Sequence, residues 1–152
     1  PKDLPREADY VLVESAYGGS RHETIKKRRE LLERAIEEVV KNHGVLLIPT
    51  LALERAQELL LELNELLTHK RVPPIPIYVD SPLIIAATKI FNRYQSYFGK
   101  QTAEVESHTP GIFNFPGVKF TLSREESKMI NEAPAPKIII AGRGMSTGGR
   151  IL

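Results

Sequence analysis

The stretch G-R-G-M-S-T-G-G-R at 142–150 gathers four glycines, two hydroxyls and two guanidinium groups into nine positions. Glycine-rich backbone can turn its N–H groups toward a bound group and arginine pairs with phosphate, so this composition suits the holding of an anion. The β-branched run K-I-I-I-A at 137–141 delivers the loop from the carboxyl end of a strand. Other strand-like runs also finish on small polar residues: 11–14 before Ser15, 45–49 before Thr50, 77–80 before Ser81 and 119–122 before Ser123. Five strands are therefore expected to end on one edge. It would carry Glu14, Ser15, Thr50, Arg55, Asp80, Ser81, Ser123, Arg143, Ser146, Thr147 and Arg150, beside helix N-termini whose free N–H groups favour anions. A phosphate-bearing ligand is the physical expectation, although each hydroxyl taken singly is explained as a helix cap contributing about 1 kcal/mol.

Other chemistries find less support. The glycine loop departs from G-x-G-x-x-G because its third glycine falls one position late. No G-x-S-x-G elbow precedes any serine, and His22, His43, His69 and His108 never approach metal-ligand spacing. The absence of cysteine excludes disulfides, thiolate metal sites and cysteine nucleophiles. A net charge of +2 leaves a polyanion partner to a local patch. The 152 residues suit one domain, and 41% hydrophobic with 26% charged residues is the balance of a soluble globular protein. No apolar run has the length of a membrane span or a signal peptide, so a cytoplasmic protein is expected.

The elements that must position these groups follow from periodicity. Residues 1–9 are polar and proline-punctuated and read as a linker, and 10–152 as the domain. Residues 10–14 read as a strand. Ser20 and Glu23 have capping-box spacing before a helix of roughly six turns. Its apolar face is Ile25, Leu32, Ala35, Ile36, Val39 and Val40, and its alternating charges read as a solvated face. A strand at 45–48 and a leucine-rich helix at 53–67 follow. After the strand at 77–80, Ser81 caps a helix with Pro82 at its first position and Leu83, Ile84, Ala87, Ile90, Phe91 and Tyr94 on its apolar face. Periodicity fails over 99–117, read as a long irregular excursion. A strand at 119–122, a second capping box at Ser123 and Glu126 before a helix at 124–131, and the last strand complete the chain. Alternating strands and helices predict a three-layer α/β domain, a mainly parallel sheet of about five strands with helices on both faces.

Several segments, in order, resemble one family. V-E-S-A-Y-G at 13–18 is similar to the E-S-T-Y-G of the β-CASP nucleases, with His22 following at a familiar distance. P-T-L-A-L-E-R-A-Q-E-L-L at 49–60 resembles their P-x-F-A-x-G-R-x-Q-E-L-L, and D-S-P-L at 80–83 and S-R-E-E-S-K-M-I-N at 123–131 fit as well. I-I-I-A-G-R-G-M-S-T-G-G-R-I-L at 138–152 is similar to I-I-I-A-x-S-G-M-x-x-G-G-R-I-L, which in the family runs into a histidine pair. The chain departs from the pattern at Ala16, Glu54 and Arg143, which stand where a threonine, a glycine and a small polar residue are usual.

The resemblance implies a Rossmann-like β-CASP domain inserted in a metallo-β-lactamase fold, as in the RNase J and cleavage and polyadenylation specificity factor group. Such proteins hydrolyse RNA, or in some branches DNA, with two zinc ions bound by the lactamase part, and none of those ligands falls in these residues. By resemblance Glu14 is an acid that orients a catalytic-site histidine. RNA phosphates would then meet Ser15, Arg55, Ser81, Arg143, Gly144, Ser146, Thr147, Gly148, Gly149 and Arg150, with single-stranded RNA the expected form. Phe113 and Phe115 are candidates for stacking on a base, with packing of the long loop as the alternative. The partners implied are RNA and the lactamase domain of the same chain, and exposed apolar surface could draw two copies into a homodimer. Two other readings stay open: a free-standing nucleotide- or phosphate-binding α/β domain using the 142–149 loop, and a protein-interaction module.

Overall fold

The structure, a computed structural model, describes residues 7–98 and 111–142. Strands β1 (Val45–Thr50), β2 (Ile77–Asp80), β3 (Val118–Phe120) and β4 (Lys137–Gly142) form one sheet in the order β1-β4-β2-β3, and every pairing is parallel. Among the described residues the helices are α1 (Ile25–Lys41), α2 (Arg55–Thr68), α3 (Pro82–Arg93) and α4 (Arg124–Glu132), with a 3₁₀ turn at Gln95–Tyr97.

Register explains which face is packed. Leu46, Ile138, Ile77 and Val118 lie side by side across the sheet, as do Ile48, Ile140, Val79 and Phe120 one step on. With a strand period of two, both rows point to the same face, and all eight join Ile36, Leu60, Leu63 and Ile84 in the core. The opposite row, Leu47, Ile139, Tyr78 and Lys119, is more open, and Leu47 is about half exposed.

Connectivity places the helices. The β1-α2-β2 and β2-α3-β3 crossovers advance in one direction along the sheet, whereas β3-α4-β4 returns past β2. Right-handed crossovers then put α4 on the face opposite α2 and α3, giving the expected three layers. Lys137 ties α4 down there: its buried Nζ donates to the carbonyls of Ile130 and Ala133, satisfying the C-terminus of α4 with a cation.

Two capping expectations match and one moves. Ser81 Oγ accepts from Ile84 N above Pro82, and Ser123 with Glu126 forms the complete capping box of α4. Helix α1 starts later than its Ser20–Glu23 pattern predicts, because Ser20 N–H donates into a turn at the Tyr17 carbonyl and Thr24 is the cap, accepting from Lys27 N. Charges on α1 bind between helices as well as within one: Arg29 reaches Glu62 and Glu65 of α2, and Arg71 reaches Glu33.

Three expectations are corrected. The sheet has four strands among the described residues, because residues 10–14 pair with none of them and the side chains of Tyr10, Val11, Leu12 and Val13 are largely exposed. The candidate stacking residues Phe113 and Phe115 are interior, 3% and 4% exposed. Asn64 explains this by donating to the Ile112 carbonyl at 3.0 Å, which ties residues 111–117 to α2, and Phe113 meets Phe91 and Phe98 edge to face. Finally, α3 buries Ile84, Ile85, Ala87 and Thr88, so Leu83, Ile90 and Tyr94 face outward.

Candidate nucleic-acid edge

All four strands point their carboxyl ends the same way, so Thr50, Asp80, Thr121 and Gly142 mark one edge of the sheet. Chains leaving β2 and β3 diverge, to α3 on the core face and α4 on the other. That divergence makes the point between two neighbouring strand ends the usual ligand position in open α/β sheets.

Asp80 stands at this point, 3% exposed. One carboxylate oxygen accepts from Thr121 Oγ1 at 2.6 Å and the other from Ser127 Oγ at 2.7 Å. A buried carboxylate is sustained by such donors, and these two pin the end of β3 and the first turn of α4 to β2. Next to it Ser81 caps α3, and Gly142 at the end of β4 packs on that serine. A Cβ at Gly142 would lie 2.8 Å from Ser81 Oγ, so this position is closed to any larger residue unless Ser81 gives way.

Between β1 and α2 the backbone is strained. Glu54 has φ 67° and ψ −59°, and Arg55 N–H donates to the Leu53 carbonyl at 2.8 Å across it. These are the marks of a γ-turn of the positive-φ kind, whose ideal centre is about +75°, −65° and which is rare for residues with a side chain. Among the described residues no side chain caps α2, so Arg55 occupies the first position of a helix whose leading N–H groups lack a side-chain partner. Its guanidinium pairs with Glu58 at 2.9 Å, both side chains exposed. Gln57, buried, holds this turn by donating from Nε2 to the Ala52 carbonyl at 3.2 Å and to Thr88 of α3 at 2.9 Å. A carbonyl can only accept, so the amide must turn its Nε2 toward Ala52, which leaves Oε1 buried without a partner.

Glycine at 54 should relieve the turn. Backbone strain of about 1–3 kcal/mol is removed and about 0.5–1 kcal/mol of unfolded-chain entropy is added, so Glu54→Gly is expected to raise stability by about 1 kcal/mol. A urea midpoint equal to or below that of the parent sequence would contradict this.

The structure brings Arg55, Ser81 and the end of β4 to the same edge. Glu14 and Ser15 are exposed and bound locally: Glu14 Oε1 accepts from Ala16 N–H and the Ser15 carbonyl from Gly18 N–H at 2.9 Å. Among the described residues, neither hydrogen-bonds a strand end. Arg143, Gly144, Ser146, Thr147, Gly148, Gly149 and Arg150 lie outside the described residues. Of the other residues that build the edge, Gln57 and Ser127 stand inside stretches that resemble the family but have no role assigned from sequence, and Thr121 lies outside every such stretch. The D-S-P pattern at 80–82 marks the cap at Ser81 and gives no sign that its aspartate gathers two hydroxyls from 41 and 47 residues away. Among the described residues no three His, Asp or Glu side chains come together in a way that could hold a metal ion, and no helix is long and apolar enough to cross a membrane.

Comparison with known proteins adds a family. The Beta-Casp domain model matches residues 56–152. Ribonuclease TTHA0252 of Thermus thermophilus is 40% identical over 157 residues, covering 98% of this chain and 34% of its own length. An RNase J-like protein of Methanocaldococcus jannaschii is 33% identical, over 96% of this chain and 33% of its own length. Endoribonuclease ysh1 of Schizosaccharomyces pombe is 32% identical, over 95% and 19% respectively. The chain thus spans about a third or less of these relatives.

Proposed function

The chain belongs to the Beta-Casp family, and from that premise we infer that it is the RNA-gripping part of a ribonuclease that hydrolyses phosphodiester bonds. The observation that carries the reading is the strand-end edge, which brings the start of α2 with Arg55, the Ser81 cap of α3 and the end of β4 to one side of the sheet. Each offers N–H groups or positive charge to a phosphate backbone and none is selective for a base. Ribonuclease relatives that match nearly the whole chain support the same conclusion.

In this reading Arg143, Arg150 and the glycines of that stretch of sequence also meet phosphates. Glu14 orients a catalytic-site histidine of the flanking lactamase part. The two zinc ions implied by the family do not fit the donor set of the described residues, and their ligands belong to that flanking part. Arg55 is held by Glu58 when free and turns to phosphate when RNA arrives, exchanging one charged partner for another.

The test uses the complete protein and single-stranded RNA. Arg55→Ala and the Arg143→Ala/Arg150→Ala pair are expected to weaken binding across sequences and to lower the salt slope by about 0.7 for each phosphate no longer neutralised. Unchanged affinity in both variants would remove the edge from the RNA path. Competition by mononucleotide as effective as by oligomer would favour a small phosphate ligand instead.

A further inference from the structure

The outward stripe of α3 and the turn after it has no role in the strand-end edge. We propose that it is a second contact site for single-stranded RNA, in which Tyr94 and Tyr97 stack on bases and Lys89 and Arg93 meet phosphates. The proposal rests on the RNA reading above and extends the path away from the strand ends.

Four observations carry it. Tyr94 and Tyr97 are 51% and 84% exposed, with ring centroids 6.2 Å apart in an edge-to-face pair, so two aromatic rings stand together at the surface. Tyrosines with a polar tip and an uncovered face are suited to unstacked bases, which the buried Phe113 and Phe115 are not. Lys89 and Arg93 are exposed and, among the described residues, form no ion pair. On α1, by contrast, Lys27 and Arg29 both have carboxylate partners. Residues 82–98 contain no Asp or Glu at all, so this face presents positive charge without a negative neighbour on its own element. That charge complements a polyanion; the helical period puts Ile90, Arg93 and Tyr94 on one side, and the 3₁₀ turn that follows brings the Tyr97 ring beside Tyr94.

Direction comes from α3 itself. The helix begins at the Ser81 cap, on the strand-end edge, and reaches Tyr94 about 18 Å further on at 1.5 Å per residue. RNA held at the edge and running along α3 therefore meets the tyrosines only when it is long enough.

Length is the basis of the experiment. Complete protein is titrated with oligouridylates of about 4 and about 16 nucleotides, the span of single-strand site sizes. Tyr94→Ala and Tyr97→Ala are each expected to weaken binding of the longer oligomer about fivefold or more while leaving the shorter unchanged, and Tyr97→Phe is expected to retain wild-type affinity. Lys89→Ala and Arg93→Ala should each lower the salt slope for the longer oligomer by about 0.7. Equal affinity of the Tyr→Ala variants for the longer oligomer, or equal losses on both lengths, overturns the proposal. A changed sedimentation coefficient with unchanged RNA affinity also overturns it and assigns the face to a protein contact. Arg55→Ala run in parallel separates the failures: if it alone weakens binding, the edge stands and this stripe falls, whereas wild-type protein binding neither oligomer removes both.

Discussion

Asp80→Ala is expected to lower the stability of the domain by about 3 kcal/mol. Hydrogen bonds to a charged acceptor contribute about 1.5–3 kcal/mol each, and among the described residues Asp80 accepts from Thr121 at 2.6 Å and from Ser127 at 2.7 Å. The lower end of that sum applies because Thr121 Oγ1 has a second acceptor, the Val79 carbonyl at 3.3 Å, to which it can turn. Ser127 on α4 has no such alternative among its described contacts. Asp80→Asn keeps one acceptor oxygen and should lose roughly half as much. Since a domain of this size has about 5–15 kcal/mol in all, the alanine variant should shift the urea midpoint strongly while the m-value stays fixed. A shift no larger than that of a surface substitution would mean that this carboxylate does not hold β3 and α4 in place.

Ile140→Ala is the second large effect, about 2–5 kcal/mol. Ile140 is fully buried on β4, between Ile48 and Val79. Leu47→Ala, one ladder step back and on the opposite face, should cost within about 0.5 kcal/mol because its side chain is already about half exposed. The contrast tests how unequally the two faces are packed at β1 and β4. Comparable losses at the two positions, measured by the same urea titration, would show that Leu47 is covered in solution.

Most of the elements are legible in the sequence for reasons that are local. Ser81-Pro82 and the Ser123–Glu126 box are signals within four residues, and both caps form as expected. Strand Ile77–Asp80 has the expected bounds because prolines at 73, 74 and 76 delay its start. What the sequence hides is whatever depends on a distant partner. Residues 10–14 have a strand's composition, yet propensity names no neighbour, and none of the four strands takes them up. The run Leu83-Ile84-Ile85 leaves the phase of α3 undetermined, since either side of that helix is apolar enough to be the buried one. Packing against α2 and the sheet chooses Ile84, Ile85, Ala87 and Thr88. Phe113 and Phe115 occupy a stretch without periodicity, and their burial follows from an asparagine 48 residues before the carbonyl it holds. The permuted strand order β1-β4-β2-β3 is likewise a matter of return direction that strand signals do not encode.

The candidate site divides in the same way. Local pattern puts Arg55 and Ser81 on the strand-end edge, and they are there. Asp80 is legible at the same edge, but its two hydroxyl donors come from separate elements. The resemblance adds something that pattern cannot, a glycine where this chain has Glu54, and the positive φ at that residue supplies the physical reason for the family's preference.

The γ-turn at Glu54 also predicts how this protein would answer selection in the laboratory. A library fully randomised at position 54 and sorted for thermal survival should return glycine first, with asparagine and aspartate next, because these tolerate positive φ best. If the ribonuclease reading holds, the same library in the complete protein, sorted for RNA cleavage instead, reports what the glutamate side chain itself contributes. Disagreement between the two sorts would mark residue 54 as a point where durability and turnover are traded against each other by a single codon.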